Sequence, residues 1–261
     1  MKTIMIFVCV LFSFQCRAAG IPVLMYHQIT NDSPAGATVI SPALFKEEMQ
    51  FLHDGGYTTL SVDELVDIMN SKKLAPNKAI VITFDDGFTS VLNAVPVLNS
   101  YEMKATFNII TGTLGGQYGS SYLTLNQLKS LVVNPRFVVE SHTVTHPDDP
   151  TNNLVAWIEG KTQNRNELDV KNEIINSKLT LSLLGKAVDS IAWPSGYYNQ
   201  QILDFAKYAG YKSAMMAWGD GGNSPGDDPF QIKRVLVSGK CNITQFEQMV
   251  ITNSDNEPCD N

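Results

Sequence analysis

The chain has 261 residues, of which 44% are hydrophobic and 17% are charged, and its net charge at pH 7 is −7. This composition is typical of a folded globular protein with a sizeable core, and it excludes a disordered chain. The negative charge argues against a nucleic-acid partner and against binding to an anionic membrane surface.

The first residues have the pattern of a signal peptide. Lys2 supplies a basic start, residues 3–14 form a short apolar run, and Ala18 is a small residue at the expected cleavage site. The apolar run is shorter than the roughly 20 residues that a membrane-spanning helix needs. We therefore expect residues 1–18 to be removed on export to the periplasm or the exterior, which leaves no stable membrane span. A retained N-terminal anchor is the alternative.

Predicted strands and helices alternate through the rest of the chain. The predicted strands are 22–26, 57–60, 79–83, 105–110, 137–140, 190–193, 212–216 and 232–237. The predicted helices are 41–54, 61–69, 89–100, 124–132, 166–184, 199–209 and 241–252. Alternation of this kind predicts βαβ units in a parallel sheet, here an α/β fold with a distorted barrel of about seven parallel strands. A doubly wound open sheet is the alternative.

Two cysteines remain after the predicted signal peptide. In an exported protein an even pair predicts a disulfide, here between Cys241 and Cys259. Such a bond would tie the polar tail, residues 253–261, to the preceding domain. Two free thiols are the alternative.

Two adjacent carboxylates follow the apolar strand at residues 79–83. Asp85 and Asp86 come just before Gly87, which allows a sharp turn. Consecutive side chains on an extended backbone point to opposite sides, so the two aspartates can have separate roles. We expect one of them to bind a cation and the other to handle a proton.

Two histidines lie four residues apart after the strand at 137–140. On one helical turn this spacing would place His142 and His146 on the same face. Imidazole suits zinc and neighbouring transition metals, and two histidines with one carboxylate leave a position open for water. Such a pair alone is more typical of surface or core histidines than of a metal site. Combined with Asp85 and Asp86, it indicates a hydrolytic metal site.

These motifs resemble a known family. Thr-Phe-Asp-Asp-Gly at 83–87, followed by Ser-His-Thr-x-x-His at 141–146, resembles the polysaccharide deacetylases of carbohydrate esterase family 4, whose domain is also called the NodB homology domain. The segment at 22–27 is similar to the subgroup that deacetylates poly-N-acetylglucosamine in biofilms. The resemblance covers most of the chain after the predicted signal peptide, from about residue 21 to 238. It implies a NodB-like barrel, a catalytic domain at 19–252 and an acetylated glycan substrate.

The resemblance also implies roles for the four motif residues. Asp85 matches the general base, and Asp86, His142 and His146 match the ligands of a divalent metal, usually zinc, with cobalt or nickel as alternatives. The implied reaction is metal-dependent hydrolysis of the N-acetyl groups of a polysaccharide. Deacetylation of peptidoglycan or of chitin-type oligosaccharides is an alternative, and so is a carbohydrate-binding relative without catalysis.

The chain departs from the family pattern at the general acid. The family usually takes this acid from a histidine in a Leu-x-His strand near the C-terminus, but this chain has no histidine after His146. In the poly-N-acetylglucosamine subgroup a histidine follows the first strand, so His27 is the candidate acid here. A buried structural histidine is the alternative for His27.

The family's Arg-x-Pro-aromatic-Gly motif is also altered. Ala192 replaces the arginine and Ser195 replaces the aromatic residue. The backbone N–H near Ser195 is a candidate for binding the oxyanion. Arg234, on a neighbouring strand, is a candidate for the missing guanidinium, with a surface salt bridge as the alternative. A set of aromatic residues could stack on sugars or pack in the core: Trp193, Tyr197, Tyr198 and Trp218.

Overall fold

The computed structural model describes residues 20–114, 121–220, 222–254 and 259. The predicted signal peptide, residues 1–18, lies outside the described residues, as does most of the tail after residue 254. Within the described ranges, no helix is both long enough and apolar enough to cross a membrane.

The described part of the chain alternates strands and helices, as the sequence predicts. Its strands are β1 (Val23–Tyr26), β2 (Gln28–Ile29), β3 (Val39–Ile40), β4 (Thr58–Leu60), β5 (Ala79–Phe84), β6 (Ala105–Ile109), β7 (Phe137–Ser141), β8 (Asp148–Asp149), β9 (Asn152–Asn153), β10 (Ser190–Ala192), β11 (Ser213–Met215) and β12 (Val235–Leu236). Its α-helices are α1 (Pro42–Asp54), α2 (Val62–Met69), α3 (Val95–Ser100), α4 (Leu125–Leu131), α5 (Leu154–Ile158), α6 (Glu167–Ser182), α7 (Gln200–Tyr208) and α8 (Ile243–Thr252).

The main sheet is parallel throughout. Seven of its described strands follow the order β11-β10-β7-β6-β5-β1-β12, and the short β4 pairs beside the first half of β5. Ile232 pairs with Met215 of β11, while Val235 pairs with Leu24 of β1. One segment therefore joins the two ends of the sheet and curls it into a distorted barrel. The predicted NodB-like fold is confirmed, and the open doubly wound sheet is not adopted.

The strands are apolar because both faces of the sheet are covered. All six residues of β5 are buried, as expected for a parallel strand inside an α/β fold. One face packs against the helices through residues such as Leu24 and Ile82. The other face forms a second cluster inside the barrel, where Val23 and Val81 meet α2. The strands thus form a rigid support for the residues that follow them.

Local signals set the helix boundaries. The hydroxyl of Ser41 caps α1 by accepting a hydrogen bond from the Leu44 backbone N–H at 3.1 Å. The predicted helix at 89–100 is instead a 3₁₀ turn followed by α3. Pro96 lies in the first turn of α3, where its missing N–H costs no helical hydrogen bond.

A disulfide joins the start of the C-terminal helical segment to the end of the chain. Cys241 and Cys259 are bonded, with their Cα atoms 4.6 Å apart. Because the closed loop spans 18 residues, the bond is expected to stabilise the fold by roughly 3 kcal/mol on a chain-entropy model.

Candidate active site

The C-terminal ends of the parallel strands surround a cavity of about 280 Å³. This edge of the sheet is where α/β barrels place their functional residues. Nearly all of the site residues predicted from the sequence line this cavity: His27, Asp85, Asp86, His142, His146, Trp193, Ser195 and Arg234. Tyr197 is the exception, since it is half-buried but does not line the cavity.

Asp86 and the two histidines face one another across the cavity. Oδ1 of Asp86 lies 3.3 Å from Nε2 of His142 and 3.4 Å from Nε2 of His146. The two imidazole rings are 4.6 Å apart, measured between their centroids. The predicted pair is therefore brought together with the predicted carboxylate.

The two histidines do not lie on a helix. Residues 142–146 form a loop after β7, and the expectation of a helical turn was wrong. Thr143 has φ 66° and His146 has φ 55°, a left-handed conformation that prevents a continuous α-helix. Asp86 has φ 72°, so backbone strain is concentrated around the cavity.

The three residues suit a divalent metal. One donor atom from each of Asp86, His142 and His146 lies within 4.8 Å of the others. Oδ1 of Asp86 is buried and accepts no hydrogen bond from the described residues. Buried polar atoms are normally paired, so the unpaired oxygen fits a ligand position. Two histidines and one carboxylate match the donor set of catalytic zinc sites.

The backbone of β10 orients one of the imidazoles. Nδ1 of His142 lies 2.8 Å from the carbonyl oxygen of Ala192. Because a carbonyl can only accept, Nδ1 carries the hydrogen and Nε2 keeps its lone pair for a metal. The small Ala192 of the altered motif thus contributes its backbone to the site.

Asp85 is held inside the barrel as an ionised carboxylate. Arg234 donates two hydrogen bonds, from Nη1 to Oδ1 at 2.7 Å and from Nη2 to Oδ2 at 2.8 Å. Burial opposes ionisation of Asp85, but Arg234 and the nearby His142 outweigh it and hold the pKa of this carboxyl well below its usual range. The guanidinium is buried, so the surface salt bridge considered for Arg234 is excluded.

His27 follows β1 and lines the same cavity. Burial lowers the pKa of its imidazole, and the charges of Asp85 and Asp86 offset this only in part. Its imidazolium is therefore a stronger acid than a histidine in water. Nδ1 of His27 is buried and has no hydrogen-bond partner among the described residues.

The aromatic residues divide between core and surface. Trp193 is completely buried and stacks with Tyr198 at 6.4 Å between ring centroids, which favours packing for Trp193. Trp218 lines the cavity and is 58% exposed, so it can contact a substrate. Ser195 lines the cavity with φ 46°.

Sequence reasoning missed three residues that support the site. Asn108 donates to Asp85 from β6, and its signal was a polar residue inside an apolar strand. Glu173 on α6 accepts hydrogen bonds from the loop at 142–146, which no local pattern predicts. Asp148 lines the cavity with Oδ2 3.6 Å from Nδ1 of His146.

A family model described as polysaccharide deacetylase matches residues 72–214, more than half of the chain. The chain belongs to the polysaccharide deacetylase family. The matched range of this deacetylase contains Asp85, Asp86, His142 and His146. The deacetylase is a hydrolase that removes acetyl groups, as its family is defined.

Among its relatives, a putative polysaccharide deacetylase of Bacillus subtilis, YxkH, is 30% identical over 85% of this chain and 73% of the relative. The poly-beta-1,6-N-acetyl-D-glucosamine N-deacetylase of Staphylococcus aureus is 26% identical over 76% of this chain and 68% of that protein.

Solved structures are similar over most of the deacetylase. The Streptococcus pyogenes deacetylase PplD, in complex with acetate, superposes with a TM-score of 0.74 at 28% identity, covering 88% of this chain and 97% of the other. IcaB from Ammonifex degensii has the same fold, with a TM-score of 0.75 at 24% identity and coverage of 89% and 96%.

Proposed function

We propose that this deacetylase removes acetyl groups from N-acetylglucosamine units of an exported polysaccharide, with a divalent metal held by Asp86, His142 and His146. The observation that carries the proposal is the meeting of these three donors with Asp85 in one cavity. The name of the Staphylococcus aureus relative supports a poly-N-acetylglucosamine-like substrate.

The proposed metal is zinc, with cobalt or nickel as alternatives of similar preference for nitrogen ligands. When bound, such a metal supplies Lewis acidity for the acetyl carbonyl and for a water molecule. Asp86, His142 and His146 would each supply one ligand atom to such a metal.

Asp85 is the proposed general base. One oxygen of its carboxylate takes a proton from the water whose oxygen attacks the carbonyl carbon. Arg234 keeps Asp85 ionised and fixes its orientation through two parallel hydrogen bonds. The backbone N–H near Ser195 is proposed to stabilise the negative charge that develops on the carbonyl oxygen.

His27 is the proposed general acid. Its imidazolium gives a proton to the amide nitrogen as the C–N bond breaks, and the products are acetate and a free amine. Trp218, exposed at the mouth of the cavity, is proposed to stack on a sugar ring. Residues 19–252 are proposed as the catalytic domain, which acts after export and removal of residues 1–18.

A substrate panel tests this function. The purified protein, loaded with zinc, is incubated separately with oligomers of β-1,6-linked N-acetylglucosamine, with chitin oligomers and with peptidoglycan fragments. The masses of the products are measured by mass spectrometry. We expect the mass of the oligomer to fall by about 42 Da for each N-acetyl group that becomes a free amine, and we expect this first for the β-1,6-linked oligomers.

The Asp85→Asn variant is the matched control, and it should bind zinc but produce no mass change. Products from peptidoglycan fragments or chitin alone would reject the proposed substrate but keep the reaction. Binding of glycans without any product, whichever metal is supplied, would reject the reaction in favour of a carbohydrate-binding protein.

A further inference from the structure

Asn108 is a polar residue in the middle of the barrel. It lies on β6, whose five residues are all buried, and its own side chain is fully buried. Its amide nitrogen donates a hydrogen bond to Oδ1 of Asp85 at 2.7 Å. Asn108 therefore contacts the proposed base directly, through this one oxygen of its carboxylate.

The two oxygens of Asp85 are not equivalent. Oδ1 accepts from Nη1 of Arg234 and from Nδ2 of Asn108, both at 2.7 Å. Oδ2 accepts from Nη2 of Arg234 at 2.8 Å. A carboxylate oxygen has two lone-pair positions, so Oδ1 is saturated while Oδ2 keeps one position open.

The open oxygen also lies close to one of the proposed metal ligands. Oδ2 of Asp85 lies 3.8 Å from Nε2 of His142. This distance places Oδ2 beside the proposed metal ligands. The oxygen that can still accept a proton is thus the oxygen on the side where the attacking water is required.

Folding alone does not explain Asn108. Its amide oxygen is buried and has no hydrogen-bond partner in the described structure. An unpaired buried polar atom destabilises a fold, and an apolar residue of similar volume would avoid this cost. A flipped amide would direct its oxygen at the carboxylate of Asp85, so the contact fixes the orientation of Asn108.

We propose that Asn108 is a positioning residue that occupies Oδ1 of Asp85 and thereby assigns Oδ2 as the oxygen that takes the proton from water. This inference rests on the proposed function, because it requires Asp85 to act as the base. It gives a role to a residue that neither the sequence motifs nor the metal site require.

The test compares Asn108→Leu with Thr106→Val. Thr106 lies on the same face of β6 two residues earlier, and its buried hydroxyl also has no partner among the described groups. For Asn108→Leu we expect kcat for acetate release to fall about ten- to a hundredfold, the effect of one hydrogen bond to a charged group. In this variant KM should not fall, and neither should the zinc affinity measured by calorimetry nor the melting temperature. Thr106→Val should resemble wild type in kcat, KM, zinc affinity and melting temperature.

An unchanged kcat in Asn108→Leu would overturn the proposal. The proposal would also be overturned if Asn108→Leu had a lower melting temperature and Thr106→Val lost as much kcat as Asn108→Leu. Those two results together would indicate that both residues act only through packing. Asn108→Ala is judged by the same criteria if the leucine variant does not fold. If wild-type protein with zinc releases no acetate from any glycan, the proposed function fails instead, which is a distinct result.

Discussion

Arg234 and Asp85 form a buried pair of opposite charges at the centre of the site. The two parallel hydrogen bonds are worth more than one point contact because a guanidinium matches both oxygens of a carboxylate. Removing one partner of a buried pair leaves the other charge unpaired, which is strongly destabilising. We therefore expect Arg234 to have both a structural and a functional role.

Replacement of Arg234 by methionine should affect both stability and turnover. We expect the free energy of unfolding to fall by about 3–5 kcal/mol, since the Asp85 charge stays buried. In protein that remains folded and zinc-loaded, kcat should fall at least about a hundredfold. Urea unfolding and acetate release measure the two effects.

The matched variant is Arg234→Lys, which keeps the charge but offers no planar pair of donors. It should recover much of the stability and little of the rate. A folded Arg234→Met protein with normal kcat would contradict the proposed role.

His27 can be tested with substrates that differ in their leaving group. An amine must be protonated to leave, whereas an aryl alcohol leaves readily without an acid. We expect His27→Gln to lower kcat/KM for the glycan amide by about a hundredfold or more. The same variant should hydrolyse an aryl acetate ester at close to the wild-type rate, followed by absorbance of the released phenol.

Equal losses on the amide and on the ester would show that His27 does not act as the acid. Such a result would be consistent with a histidine that only packs within the cavity, or that affects the metal ligands.

At the scale of elements, α6 holds the histidine loop in place. Oε2 of Glu173 accepts from the backbone N–H groups of Val144 and Thr145 at 2.7 and 2.8 Å, and Oε1 accepts from the Thr145 hydroxyl at 2.7 Å. These bonds compensate for the left-handed backbone at Thr143 and His146. The loop that carries both imidazoles therefore depends on a residue that lies 28 to 29 positions after the bonded residues in the chain.

Loss of Glu173 should weaken metal binding. We expect Glu173→Ala to raise the dissociation constant for zinc about 10–100-fold, as for other outer partners of metal ligands. Glu173→Gln is the control, since its amide oxygen can still accept both backbone bonds. Calorimetric titration with zinc measures both variants, and equal affinities for Ala, Gln and wild type would refute this prediction.

A second carboxyl lies between α1 and the barrel. Glu48 is fully buried, and the Tyr26 hydroxyl donates to its Oε2 at 3.0 Å. Burial raises the pKa of Glu48 from 4.5 to about 8. The folded protein therefore keeps a proton on Glu48 that the unfolded chain loses above about pH 4.5.

This proton makes stability depend on pH. The contribution of Glu48 is fully present below about pH 4.5 and is lost as pH rises toward 8, by up to about 1.4 kcal/mol per pH unit. We expect Glu48→Gln to flatten this dependence, so that its free energy of unfolding falls less between pH 5 and pH 8 than that of the wild type. Parallel stability curves for the two proteins, from urea unfolding across this pH range, would contradict the raised pKa.

For the whole molecule, the sequence predicted the fold better than it predicted the loops. The alternation of apolar strands and helices predicts a parallel barrel because each element has its own local signal. The loop at 142–146 was misjudged because its conformation depends on Glu173, which is distant in sequence. The small helix α5 and the short strands β2 and β3 were missed, since segments this short carry little periodicity.

The same division applies to the site. Strand ends predicted the meeting of Asp85, Asp86, His142 and His146, because all C-terminal ends of a parallel sheet lie at one edge. Arg234 was a candidate for the missing guanidinium, but the choice between a contact with Asp85 and a surface salt bridge depended on the register of β12 against β1, which no local pattern contains. Asn108 and the backbone of Ala192 were missed for the same reason, since their partners lie on other strands.

The most direct test of the metal site is acetate release by metal-free protein as zinc is added back. If Asp86, His142 and His146 hold one metal beside Asp85, chelated protein should be inactive, and acetate release from β-1,6-linked N-acetylglucosamine oligomers should rise until one zinc is bound per chain. Full activity in the chelated protein, or no activity at any concentration of zinc, cobalt or nickel, would contradict this arrangement.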